Sequence, residues 1–131
     1  MLKATELQAQ ALDLAPVHMI VDHRLATYGT LAPGRPNHHH LSGLRGRWRS
    51  GTVKGSLVAR GWGAKLGFPA LILADDGNQV EVQLFESSDL PNHWQRLDSF
   101  EGREYRRVVA RVETSEGAVD AWIYIDADPT P

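Results

Sequence analysis

The 131-residue chain has no cysteine. That excludes a disulfide framework, thiol catalysis and cysteine-ligated zinc, and it fits a reducing cytoplasmic compartment. Neither sign of charge is in excess: 14 Lys and Arg stand against 16 Asp and Glu, a net charge of −2. Composition therefore gives no reason to expect nucleic acid or an anionic membrane as a partner. No apolar run reaches the length of a membrane span. The first residues lack the continuous apolar centre of a signal peptide. Internal repeats and low-complexity segments are also missing. What remains is an ordinary globular composition, 42% hydrophobic and 23% charged. Its length suits one domain with a sizeable core.

The stretch from Leu25 to Asn37 stands out. An apolar run from Met19 to Tyr28 leads into it, and then Gly29, Pro33, Gly34 and Pro36 crowd into eight residues. This predicts a buried strand ending in a fixed loop. Gly29 has no Cβ, so bare backbone can approach a ligand there. Successive N–H groups in such a turn can cradle an anion or a carbonyl oxygen. The same spacing also describes a plain turn between strands with no chemistry.

Around that stretch the chain reads in order. Leu2, Leu7, Ala11 and Leu14 approximate one helical stripe, which Pro16 ends. Residues 1–17 thus form an N-terminal helical extension, able to pack on the domain or against another subunit. His38-His39-His40 invites a metal reading, but consecutive side chains diverge and no further ligand set lies nearby. A short helix start or exposed loop suits it better, with His38 at a pocket rim. Arg47–Ala59 is strand-like, and Gly51 and Gly55 within it mark a bulge, a barrel corner or a close backbone approach. Trp62, between Gly61 and Gly63, is either a loop anchor or a movable pocket wall. Phe68–Leu73 is another strand. Asp75-Asp76-Gly77-Asn78 is expected to turn it as a hairpin into the alternating run Val80, Val82, Leu84.

Ser87-Ser88-Asp89-Leu90-Pro91 is a helix-start signature, with Ser88 or Asp89 as cap. The helix should end at Glu101, stopped by Gly102. Leu90, Trp94, Leu97 and Glu101 fall on one stripe, which turns the Glu101 carboxyl inward. An acid in the last turn opposes the helix dipole, at a cost of roughly 0.3–1 kcal/mol, so stability alone would not place it there. Early fraying would instead leave Glu101 in solvent. Asp98 is read as facing outward or pairing with Arg103 or Arg106, with no chemical role. Tyr105–Thr114 alternates as a strand, Ser115-Glu116-Gly117 turns it, and Val119–Ile125 returns as the last strand. One N-terminal helix, a short one near His39, the helix before Gly102 and five to seven strands make the class α+β.

Two motifs carry a resemblance. Tyr28-Gly29-Thr30-Leu31 followed by Gly34 and Pro36-Asn37 is the first. Leu97-Asp98-Ser99-Phe100-Glu101-Gly102 followed by Tyr105-Arg106-Arg107 is the second. In this order, about seventy residues apart, they resemble the γ-glutamylcyclotransferase-like superfamily. The likeness is nearest its bacterial branch similar to γ-glutamylamine cyclotransferase. The resemblance implies a small mixed β-barrel with helices packed outside, here spanning residues 18–126 with a tail at 127–131. It implies a transferase or lyase of γ-glutamyl groups that releases 5-oxoproline and an amine from a small-molecule γ-glutamyl substrate, with no metal or organic cofactor. Glu101 would be the general base and acid. Tyr28, Gly29, Thr30 and Leu31 would bind substrate, and Trp62, Tyr105 and Tyr124 would be pocket walls. The chain departs from the family pattern at Gln83, where many relatives carry Gly, and at Ala32-Pro33, where a basic residue is frequent. A non-catalytic binding module, or a deacylase or transferase acting on a larger γ-glutamyl carrier, are the competing classes.

Overall fold

The computed structural model describes residues 21–29, 31, 34, 38–58 and 70–127. The helix expected over Met1–Leu14, the segment around Trp62 and the tail beyond residue 127 lie outside the described residues. In chain order the elements are β1 (Arg24–Thr27), α1 (His39–Ser42), β2 (Arg47–Val58), β3 (Ala70–Leu73) and β4 (Asn78–Glu86). A 3-10 turn (Leu90–Asn92), α2 (Trp94–Glu101), β5 (Tyr105–Thr114) and β6 (Gly117–Asp126) follow.

Five strands close a barrel in the order β2-β4-β1-β6-β5, and β5 returns to β2 at Thr52 and Glu113. Every pair is antiparallel except β1 with β6, where Leu25 faces Trp122 and Ala26 faces Ile123. The mixed α+β barrel is therefore as expected. The strand at its centre is shorter than the apolar run suggested. Val21 is helical and Asp22-His23 a turn. Pairing begins where the His23 carbonyl accepts the Ser87 N–H at 2.8 Å.

The expected hairpin across Asp75–Asn78 does not form. The turn exists, with the Gly77 N–H bonded to the Ala74 carbonyl at 2.9 Å. Yet β3 and β4 lie on opposite edges of β2, with Gly55 facing both Leu73 and Asn78. The connection crosses the backbone of β2 at Gly55. A Cβ on Gly77 would come within 2.7 Å of the Gly55 nitrogen, and a Cβ on Gly55 would collide with the Ile72 carbonyl. Gly55 is thus a site of close backbone approach, one of the three readings its place in a strand allowed.

Strand alternation divides the core in two. The inward faces fill the barrel with Ala26, Val53, Val82, Leu84, Val112, Ala121 and Ile123. The outward faces contribute Leu25, Phe85 and Tyr124 to a second cluster with Leu31, Leu41, Leu90, Trp94 and Leu97. The helices sit on this outer cluster.

Candidate active site

The helix that carries Glu101 forms differently at its two ends. At its start neither Ser88 nor Asp89 caps it. The Ser87 hydroxyl accepts the Asp89 N–H at 3.0 Å, and the Asp89 carboxylate accepts the Arg45 N–H at 2.8 Å. With that carboxylate taken, the run splits into a 3-10 turn and α2 at His93, whose φ is −121°. At its end the sequence expectation is met. Gly102 has φ 80°, a backbone state that favours glycine, and its N–H bonds the Asp98 carbonyl at 3.0 Å.

The stripe faces inward along its whole length. Leu90, Trp94, Leu97 and Glu101 are all buried, Glu101 at 8% exposure. Burial disfavours its charged form and raises its pKa from 4.5 to about 7. A carboxyl so placed holds and releases a proton near neutral pH.

Tyr28 stands just past β1. Its hydroxyl donates to the Tyr124 carbonyl at 2.6 Å and accepts the Leu71 N–H at 3.0 Å. It thereby ties the end of β1 to β6 and to the outer strand β3, and its donor is spent. Burial raises its pKa despite the Leu71 bond, and the charges of Glu101, Tyr105 and Asp126 act in the same direction. Tyr124 is buried on β6, and its pKa rises through burial and through its bond to Asp98. Glu101 acts on it too. Tyr28, Glu101 and Tyr124 thus share one neighbourhood, with Tyr105 beside Tyr28. Leu31 is buried, and its carbonyl lies 3.2 Å from His38 Nδ1. Gly29 is half-buried. Thr30 and Trp62 lie outside the described residues.

Asp98 faces outward, as expected, but its partners differ from the expected ones. It pairs with neither Arg103 nor Arg106. Its Oδ1 accepts from Arg107 Nε at 2.8 Å and from the Tyr124 hydroxyl at 2.7 Å, and its Oδ2 accepts from Arg107 Nη2 at 3.2 Å. Burial alone would raise its pKa, but these bonds outweigh it and hold the carboxyl below its ordinary value. The Arg107 guanidinium lies 4.4 Å from the ring centroid of Trp94 and 4.4 Å from that of Trp122. Strand parity could have found this pair: Arg107 shares the outer face of the hairpin with Trp122 and Tyr124, and Arg106 does not. Asp126 closes β6 and is buried.

The three histidines form the start of α1, as expected. His39 stacks on His40 and His40 on Phe100, with centroids 4.4 and 4.0 Å apart. Among the described residues no cluster of His, Asp or Glu could hold a metal, and no helix is long and apolar enough to cross a membrane.

The family model for AIG2-like gamma-glutamyl cyclotransferases matches residues 25–130. The chain belongs to that family. YkqA from Bacillus subtilis is 30% identical with a TM-score of 0.63, over 79% of this chain and 35% of YkqA. The chain thus spans about a third of that relative's length. An AIG2-like protein from Mus musculus is 25% identical with a TM-score of 0.65, over 83% of this chain and 80% of the mouse protein. PH0828 from Pyrococcus horikoshii, 24% identical with a TM-score of 0.57, covers 80% of this chain and shares the fold. No curated protein matches the chain.

Proposed function

We propose that this chain cyclises γ-glutamyl amides, with Glu101 as general base and acid. The α-amine of a γ-glutamyl group attacks its own side-chain carbonyl carbon. A C–N bond closes a five-membered lactam, the bond to the departing nitrogen breaks, and the proton lost by the attacking amine is returned to the leaving one. The products are 5-oxoproline and a free amine or amino acid. No electrons are gained or lost.

The observation that carries this reading is a buried carboxyl with a pKa of about 7 on the inward stripe of α2. One group at that pKa can take the amine's proton and give it back. The turn after β1 supplies the other requirement. Backbone N–H groups of Gly29, Thr30 and Leu31 would bind the oxyanion, and the same loop would hold the substrate folded on itself. Family membership supports the reaction class.

The test is 5-oxoproline release from a panel of γ-glutamyl compounds by wild type and Glu101→Gln. The variant keeps size and most hydrogen bonding but cannot carry the proton. It should fold normally, bind substrate and lose about 10²-fold or more in turnover. Turnover near the wild-type level would overturn the mechanism.

A further inference from the structure

Glu101 occupies the last turn of α2, and Gly102 ends the helix directly after it. The stripe Leu90, Trp94 and Leu97 turns one face of the helix to the core, but apolar contact is non-directional and sets the rotation only coarsely. Hydrogen bonds are directional. Here they run from Asp98 to the barrel, and from Arg96 to the His40 carbonyl of α1 at 2.9 Å. Arg107 of β5 holds α2 at Trp94 by stacking and at Asp98 by a two-pronged bond. Those residues are four apart and lie on one face. Tyr124 of β6 bonds the same Asp98. The stack has its own anchor: Trp94 and Trp122 donate their indole N–H groups to the carbonyl and the carboxylate of Asp22, at 3.1 and 2.7 Å. An exposed ion pair is ordinarily worth little. This one is bidentate and stacked, and only 20% of the Arg107 side chain is exposed.

We propose that Asp98, Arg107 and Tyr124 are positioning residues: a clamp that fixes the rotation of α2 and so aims the Glu101 carboxyl into the site. The inference rests on Glu101 being the acid–base group. Tyr124 joins the clamp to the rest of the site. Its hydroxyl holds Asp98 while its carbonyl accepts the Tyr28 hydroxyl, so the catalytic helix and the loop after β1 are referenced to one residue. A misplacement of about 1 Å can cost 10²-fold in rate, which gives a clamp of this kind its value.

Arg107→Lys keeps the charge and removes the fork and the stack. The groups acting on or beside Glu101 are Tyr28 at the end of β1, Tyr124 of β6, and, through Tyr28, Tyr105 of β5 and Asp126 of β6. The substitution leaves the charge of all of them unchanged. The kcat for 5-oxoproline release should fall about tenfold with KM within about twofold. In a Glu101→Gln background the same substitution should cost nothing more, because its target is gone. A carbon-13 NMR titration of the Glu101 carboxyl needs no turnover. It should move from about 7 toward 4.5 as the loosened turn admits water. Tyr124→Phe, which keeps the Arg107 stack, should move both readouts in the same direction by less. An unmoved titration overturns the clamp, and so does an equal loss of kcat in both backgrounds, which would mark a merely structural role. If wild type releases no 5-oxoproline, the functional reading falls and the titration alone decides the clamp.

Discussion

The two faces of β6 carry opposite chemistries on one strand. Ala121, Ile123 and Ile125 point into the barrel and are almost wholly buried among aliphatic neighbours. Trp122 and Tyr124 point outward, toward α2 and its arginine partner. The inner face needs only volume, and any aliphatic set that fills the barrel without strain would serve. The outer face places polar tips on apolar bodies, and every tip needs a particular partner. The candidate site draws on both layers: Tyr28 packs on the barrel cluster, Tyr124 belongs to the layer outside it, and Glu101 acts on both.

The comparison can be broken first on the barrel side. Gly55→Ala puts a Cβ against the Ile72 carbonyl where the chain crosses β2. Neither backbone can yield without unpairing a strand, so the loss should be about 3 kcal/mol or more. Urea unfolding would show a lower midpoint at an unchanged slope. An unchanged midpoint would mean the crossing does not occur there.

On the site side the effect is smaller and depends on pH. Glu101 binds its proton to about 7 when folded, against 4.5 as the ordinary value. Between those values the folded chain holds a proton that the unfolded chain has released. Its contribution is therefore fully present below 4.5 and is lost as pH rises through 7. The loss is on the order of 3 kcal/mol at most. Glu101→Gln should remove that slope, so the wild-type urea midpoint should fall relative to the variant's as pH rises through 7. Parallel profiles would show that the carboxyl is not buried in solution.

The smallest effect belongs to an exposed residue of the outer face, opposite Trp122. Val109 is 44% exposed on β5, next to buried Ala110. Val109→Thr keeps β-branching and should shift stability by no more than about 0.5 kcal/mol. A larger loss would place Val109 in a contact that joins the two layers.

Much of this was legible because the relevant signals are periodic and local. Alternation over Tyr105–Thr114 fixes that strand to the residue, and the stripe ending in Glu101 gives the buried face of α2 correctly. The misses were not local. An Asp-Asp-Gly-Asn turn says that the chain reverses but not which edge of a neighbour it joins, so β3 was paired with β4 when both pair with β2. The crossing was written in Gly55 and Gly77, two residues whose spacing carries no period. Asp98 was assigned by sequence proximity to Arg103 and Arg106, but the helix and β5 meet in three dimensions at Arg107. Thr30 and Trp62, both read as site residues, lie outside the described positions.

The parallel pairing of β1 with β6 also bears on how the chain is made. Leu25 and Trp122 are neighbours in the barrel and lie about three-quarters of the chain apart in synthesis. β1 leaves the ribosome early, and its second partner is the last strand to appear. Until then the apolar side of β1 has only β4 to cover it, and the barrel stands open. Closure is a late, long-range event, of the kind that slows folding and leaves strand edges exposed to other chains. Refolding in the millisecond-to-second range is the expected result, and crowding nascent chains together is the condition under which this fold should aggregate.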